Sequence, residues 1–493
     1  MRKSFIWYAG NAGLLTLFFW CANFAQAADT LKIDWNNKVR TSNTTPTLQI
    51  VENPMVRWNT PIHAATFKAL KDLNADYVRY VPWFPYPKLA VAELKPPADG
   101  KTFWDFKLLD STMVAFMEAT AGHSVVINFS TTPAWMWKSD RPVTYPENPY
   151  KTDWAYNQGF ELRDTTGGEL AAYYARLISW YTKEGFTDEL GQFHSSDHYF
   201  KIPYWEVLNE PDLEHNISPR LYTMIYDAVV LAMKKVAPGT KFIGMSLAFE
   251  TNPEYFEYFL DPKNHKPGVP LDGISYHRYA TPSWREQPLD AYQYTFFENA
   301  DAFITNVRYI ENIRKRLSPK TITTINEIGS ILGAETIPIP DDYWNLSGAT
   351  YAHLFLELTK IGIDVAGESQ LVGYPSQYPD VSMINWVNGN PNSRYWVLKL
   401  LIENFGKGDE LASTSLEGNA AIDCQAFITK KGRKVLFINK RNKEVTVTLP
   451  PELKGSSFQS VDTSTRENKP AFSKISGNDI TLKPFAVAVV DLK

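Results

Sequence analysis

The feature that most constrains this chain is an alternation. From about Thr47 to Phe405, short apolar and β-branched runs recur, each followed by a stretch with helical periodicity. Eight such runs are counted: Thr47–Val51, Tyr77–Val81, Ser124–Phe129, Ile202–Leu208, Phe242–Ser246, Gly273–Tyr276, Thr321–Ile325 and Ile363–Glu368. The intervening helices carry their own punctuation. Before Val236, for example, Ser218 stands as N-cap and Pro219 at the first helical position, and Pro238-Gly239 closes the run. Eight strand–helix units predict an α/β fold of the (β/α)8 barrel type. The competing arrangement is an open doubly wound sheet, but no Gly-rich phosphate turn follows the first strand.

Beyond Gly406 the texture changes to short alternating strands with polar turns: Ala426–Thr429, Val435–Asn439, Glu444–Leu449, Phe458–Val461 and Ala486–Asp491. These predict a smaller C-terminal β-sandwich over 407–493, following a barrel over 46–406. In the segment 28–45, Thr30–Trp35 is strand-like and is expected to join that sandwich. Residues 1–27 read as an export leader. Arg2 and Lys3 give a cationic start, Leu14–Ala22 is mostly apolar, and Ala25-Gln26-Ala27 is a small-x-small cleavage site. The apolar stretch falls short of the ~20 residues a membrane span needs, and Trp20 is too bulky for lipoprotein processing at Cys21. A bacterial periplasmic or secreted protein is expected, with no membrane span after the leader is removed. Cys424 then stands alone, so neither an internal disulfide nor a structural zinc site is expected.

Composition removes several functions. Fifty Lys and Arg stand against 54 Asp and Glu with no long basic run, which leaves no electrostatic footprint for nucleic acid or an anionic membrane. No Gly-x-Ser-x-Gly elbow, phosphate loop, His-Glu-x-x-His or Gly-x-Gly-x-x-Gly is present, so no cofactor is expected. His194 and His198 share a polar loop with Asp188 and Asp197, but no second cluster completes a ligand set, and no metal is expected there. The 15 Trp and 26 Tyr are a hint in the other direction, since aromatic faces stack on sugar rings.

In barrels of this kind the chemistry sits at the C-terminal ends of the strands. Two of those ends place Glu after Asn: Tyr204-Trp205-Glu206-Val207-Leu208-Asn209-Glu210-Pro211 at the fourth, and Thr323-Thr324-Ile325-Asn326-Glu327-Ile328 at the seventh. Two carboxyl groups facing one cavity are the minimal apparatus for glycosidic cleavage, one protonating the leaving oxygen and one attacking or activating water.

The run from Trp205 to Leu213 resembles the Asn-Glu-Pro motif of retaining glycoside hydrolases of the large (β/α)8 clan, most of all family 39. Leu271-Asp272-Gly273-Ile274-Ser275-Tyr276-His277-Arg278-Tyr279 is similar to that family's strand-six motif, and Thr132-Pro133-Ala134-Trp135-Met136 to its strand-three end. The resemblance implies that Glu210 is the general acid/base, Glu327 the nucleophile, and Asn209 a hydrogen-bond partner of the sugar 2-hydroxyl. It further implies that Tyr276, His277 and Tyr279 orient the nucleophile and line the cleaved site, that Trp135 closes strand three beside the sugar, and that Arg79 keeps the nucleophile ionised. The Trp that members often carry after strand eight is missing from Val365–Gln370, and Trp386 or Trp344 is the substitute to look for. Trp83, Phe84, Tyr86, Trp137 and Trp284 also follow strand ends, as stacking platforms or as loop packing.

The expected activity is therefore hydrolysis of an oligo- or polysaccharide by double displacement. Two other outcomes stay open: a carbohydrate-binding protein that has lost catalysis on the same scaffold, and transglycosylation from the same intermediate.

Overall fold

A computed structural model describes residues 29–492, apart from 140–142, 157, 283–287 and 333–338. The leader segment and Trp284 lie outside the described residues. The first eleven strands in chain order are β1 (Asp29–Thr41), β2 (Thr45–Val51), β3 (Val78–Val81), β4 (Val125–Ile127), β5 (Gly185–Thr187), β6 (Phe193–Ser195), β7 (Tyr204–Glu206), β8 (Lys241–Leu247), β9 (Gly273–Ala280), β10 (Ile322–Ser330) and β11 (Val365–Glu368). The helices are α1 (His63–Leu73), α2 (Pro87–Ala90), α3 (Lys107–Ala119), α4 (Gly168–Thr182), α5 (Pro219–Val236), α6 (Pro253–Phe259), α7 (Leu289–Leu317), α8 (Asp341–Ile361) and α9 (Ser393–Asn404).

Eight strands close a parallel barrel in the order β10-β11-β2-β3-β4-β7-β8-β9. The expected (β/α)8 fold is present. Helix ends follow from local chemistry: the Ser218 hydroxyl accepts from the Leu221 amide to start α5, and Gly362, at φ 96°, ends α8 in a left-handed cap. Side chains such as Leu48, Val78, Ile274, Leu354 and Leu398 are wholly buried in the layer between strands and helices. At Gly367 a Cβ would stand 2.8 Å from the Asn326 backbone, so only glycine lets β11 approach β10 this closely at the barrel mouth. Among the described residues no helix is long and apolar enough to cross a membrane.

The second unit adds β12 (Glu410–Leu416), β13 (Ile422–Thr429), β14 (Gly432–Asn439), β15 (Val445–Thr448), β16 (Ser457–Val461), β17 (Ala471–Lys474), β18 (Asp479–Leu482) and β19 (Val487–Asp491). The expected β-unit is present: with β1, these strands form one curled nine-stranded sheet, β17-β16-β19-β14-β13-β12-β1-β15-β18. Its two layers are joined by β1. Leu31 to Thr41 run antiparallel to β12, whereas Asp29 and Thr30 pair in parallel with Val447 and Thr448 of β15. Leu31, Trp35, Phe437, Val447 and Ile480 fill the space inside the curl. The expected N-terminal strand is thus a central strand of the C-terminal unit.

Sheet and barrel meet through Phe405 and Phe427, with ring centroids 4.5 Å apart, and through a charge cluster centred on the buried His353. In that cluster His353 of α8 bonds Asp423 at 2.6 Å and Asp301 at 2.9 Å, and Lys440 donates to Asp423 at 2.8 Å.

Candidate active site

Inward-facing positions of strands around the barrel build the floor of the site. In β3, Tyr80 points outward and stacks on Phe116, so Arg79 must point into the barrel. Its guanidinium is fully buried and each of its donors is used. Nε donates to Glu206 at 2.6 Å, Nη1 to Gln49 at 2.6 Å and Glu327 at 2.8 Å, and Nη2 to Asn209 at 2.6 Å and Ser246 at 3.0 Å. Glu206 ends β7 and is wholly buried; it also accepts from Asn128 at 2.6 Å, from Asn326 at 2.8 Å and from Ser275. Burial opposes its ionisation, but Arg79, His277 and these donors outweigh that and hold it below the usual carboxylate range.

Past Glu206 the chain leaves strand geometry. Leu208 and Glu210 adopt φ of 62° and 41°, and Met245 and Ser246 on the adjoining strand adopt 77° and 49°. Left-handed backbone at non-glycine residues costs of order 1–3 kcal/mol each and collects at functional sites. Here it turns Asn209 and Glu210 into the barrel mouth, where the Glu210 amide is fixed by the Ser246 carbonyl at 2.8 Å.

Glu210 and Glu327 then face each other across His277. His277 Nδ1 lies 2.9 Å from Glu210 and 3.5 Å from Glu327, and one carboxyl oxygen of each Glu falls within 4.8 Å of the other. Tyr279 donates to Glu327 at 2.7 Å and lies 2.6 Å from Ser369, which in turn accepts from Gln49 at 2.8 Å. The two carboxyl groups are driven apart in acidity. Burial, reinforced by the charges of Glu327 and Asp212, raises Glu210 against the pull of its His277 bond. Burial alone would raise Glu327 too, but His277, Arg79 and the Tyr279 hydroxyl outweigh it and hold Glu327 below its ordinary value. One acid shifted up beside one shifted down is the division of labour acid/base chemistry needs.

Among the described residues, Glu210, His277 and Glu327 are the group close enough to share a cation. Their ligating atoms already bond one another and Tyr279, and Arg79 places a fixed positive charge against Glu327, which is the charge a metal would otherwise bring.

Above this floor opens a cavity of about 680 Å³. One wall is aromatic: Trp83 meets Trp154 edge-on at 5.4 Å, and Tyr378 closes on both at 6.3 and 5.8 Å, with Phe84 behind. Facing it are Leu213, Phe249, Arg278 and Thr281. Phe249 is half exposed, and its loop is pinned by Asp212, which accepts from the Ala248 and Phe249 amides at 2.9 and 3.0 Å.

Of the residues singled out in the sequence, Asn209, Glu210, Tyr279, Glu327, Trp83 and Phe84 border the cavity, and Arg79 and His277 lie directly beneath them. Four residues lie elsewhere than expected. Tyr276 alternates with Ser275 and His277, so it points out of the barrel onto Phe256 and Phe303. Trp135 bonds the Glu93 carbonyl and lies under Arg163, away from the cavity. Trp386 and Trp344 pack on the core of the barrel half instead of bordering the cavity. Tyr378, in the loop after β11, and Trp154, in the loop after β4, border the cavity instead. Glu206, Gln49, Ser246 and Glu214 complete the polar network. An acid or amide at an inward strand position is the sequence signal for Glu206 and Gln49. His194 bonds Asp188 at 2.8 Å within the β5–β6 hairpin.

No curated protein matches the chain by sequence. A family model, D-apionate lactonase, C-terminal immunoglobulin-like domain, matches residues 419–490, within the curled sheet. Solved structures match far more widely. The GH51 arabinofuranosidase from Xanthomonas axonopodis pv. citri has a TM-score of 0.65 at 14% identity, covering 94% of this chain and 99% of that one. A glucosidase from Croceicoccus marinus scores 0.60 at 14% identity over 94% and 98%. A GH30 endoxylanase from Clostridium papyrosolvens C71 scores 0.54 at 12% identity over 94% and 99%. At such identities the likeness establishes the shared fold, a closed eight-stranded barrel with an appended β-unit. The numbered families that these three structures name are 51 and 30.

Proposed function

We propose that this protein is a retaining glycoside hydrolase acting on an oligo- or polysaccharide. The observation that carries the reading is the pair Glu210 and Glu327: oxygens within 4.8 Å, opposite shifts in acidity, one open cavity. Retaining enzymes hold their carboxyl groups ~5–5.5 Å apart, whereas inverting enzymes need ~6.5–9.5 Å to admit a water between.

In the first step the Glu327 carboxylate bonds the anomeric carbon while the glycosidic C–O bond breaks and Glu210 gives its proton to the departing oxygen. In the second, Glu210, now a carboxylate, takes a proton from water. The water oxygen bonds the anomeric carbon, and Glu327 leaves as a carboxylate. Arg79 and Tyr279 stabilise Glu327 in the charged form it starts and ends in. The aromatic wall supports a sugar substrate, and the family resemblance favours bacterial exopolysaccharide or β-xyloside and β-glucoside linkages. Reading residues 1–27 as a leader places the enzyme outside the cytoplasm, which N-terminal sequencing of the exported protein checks.

The test is release of reducing ends, with product sizing, from exopolysaccharides, xylans, β-glucans and aryl glycosides, comparing wild type with Glu327→Gln. Activity confined to wild type, with NMR showing retained anomeric configuration in the first product, is the expected result. An inverted product, or near wild-type turnover by Glu327→Gln, refutes it.

A further inference from the structure

The cavity contains a third carboxyl group that the double-displacement chemistry does not use. Glu214 follows Glu210 by one helical turn, and its amide and that of Leu213 bond the Glu210 carbonyl at 2.7 and 2.8 Å. That turn folds the Glu214 side chain back over Asn209 at the cavity edge. Three N–H groups converge on it. Oε1 accepts from Asn209 Nδ2 at 2.7 Å and from Trp83 Nε1 at 2.7 Å, and Oε2 accepts from Gln158 Nε2 at 3.1 Å.

The partners come from separate loops, and each can only donate in this setting. An indole nitrogen is never an acceptor. The Asn209 oxygen is taken by Arg79 Nη2 at 2.6 Å, so its NH2 must face Glu214. The Gln158 oxygen is taken by the Thr132 amide at 2.8 Å, so its NH2 must face Glu214 as well. Glu214 thereby joins the loop after β3, the loop after β4 and the loop after β7 at one point.

We infer that Glu214 is a positioning residue: it fixes the Asn209 amide and the Trp83 indole in one orientation, so that the carboxylate floor and the aromatic wall act on the sugar as a single unit. One Asn209 N–H is tied to Glu214, and the oxygen is tied to Arg79. The remaining N–H of Asn209 is then set in direction before substrate arrives, which is what preorganisation of a donor toward the sugar 2-hydroxyl requires. The inference rests on the retaining reading of Glu210 and Glu327.

The test compares Glu214→Ala and Glu214→Gln with wild type on the aryl glycoside that wild type turns over fastest, and on its 2-deoxy analogue. Gln keeps an oxygen for Asn209 and Trp83 and loses only the Gln158 contact, so it serves as the conservative rescue. Wild type should prefer the 2-hydroxy substrate. In Glu214→Ala that preference should shrink by on the order of tenfold in kcat/KM, the scale of one hydrogen bond, while Glu214→Gln stays within about threefold of wild type. If Glu214→Ala slows both substrates equally, the residue is merely structural and the inference fails. A crystal structure of Glu214→Ala with Asn209 and Trp83 unmoved overturns it without reference to activity. A wild type that cleaves no glycoside removes the retaining reading and this inference together, whereas an active wild type with an unchanged 2-hydroxyl preference in Glu214→Ala removes this inference alone.

Discussion

Arg79→Met makes the sharpest demand on the structure. Arg79 is buried and pairs with Glu206, also buried, as well as with Glu327. Removing one partner of a buried pair costs about 3–5 kcal/mol, because the other charge is stranded. The barrel from Thr45 to Asn404 spans roughly 360 residues, and at ~2.1 cal/mol/K per residue its unfolding entropy is about 0.75 kcal/mol/K, so the melting midpoint should fall by about 4–7 °C. The loss should also depend on pH. In wild type, Glu206 has a lowered folded-state pKa, so its contribution is present above the ordinary carboxylate range and is lost as pH falls through the folded value. Without Arg79, only His277 and the side-chain donors are left to oppose burial, and the folded pKa should rise above the unfolded one. The variant is then penalised at high pH and relieved as Glu206 takes up a proton. Circular dichroism melts at pH 8 and pH 5 measure this: the gap between variant and wild type should be wider at pH 8, and Glu206→Gln in the Arg79→Met background should narrow it. A gap under about 1 kcal/mol, or one equal at both pH values and unaffected by Glu206→Gln, refutes the argument that Arg79 neutralises a buried acid.

Glu210→Gln should lower kcat on unactivated glycosides by about 10²–10⁴, much less on aryl glycosides whose leaving group needs no proton, as steady-state kinetics on the two classes will show. The kcat/KM profile should be a bell whose acidic limb lies below the ordinary carboxylate range and whose alkaline limb lies above it, and Glu210→Gln should abolish the alkaline limb. His353 is pushed up to about 9 as its bonds to Asp301 and Asp423 outweigh burial. The stability it contributes is complete below its unfolded pKa and lost as pH rises through about 9, so His353→Gln should destabilise the protein at pH 6 and match wild type near pH 10 in urea titrations. Trp154→Ala should raise KM by on the order of tenfold, consistent with ~1–1.5 kcal/mol for one stacked aromatic face, with little change in protein stability.

The barrel was legible because its strands are apolar runs at regular intervals, and Glu210 and Glu327 were legible because both follow Asn at a strand end. What sequence could not supply was the direction of each side chain. Tyr276 and His277 are neighbours in one motif, yet strand alternation sends one into the helix layer and the other between the carboxyl groups. Loop aromatics carry no such parity. Nothing in the local sequence separates Trp135, which packs on Arg163, from Trp154, which faces the cavity, since that choice is made by loop paths between elements distant in the chain. Glu214 was hidden for a related reason: an acid in a turn after a strand is ordinary until three donors from three loops are seen to meet on it.

The curled sheet has a consequence for how the chain is made. Leu31 of β1 pairs with Leu416, 416 − 31 = 385 positions later. At synthesis rates of ~5–20 residues per second, that strand waits about 20–80 s for its partner while the whole barrel is built between them. A long, flat apolar strand left open for that time would invite pairing with other chains. β1 instead has Lys32, Asp34, Lys38 and Arg40 along its length, and most of its residues remain exposed even in the finished sheet. Its charges keep a strand made long before its partner from pairing with the wrong neighbour.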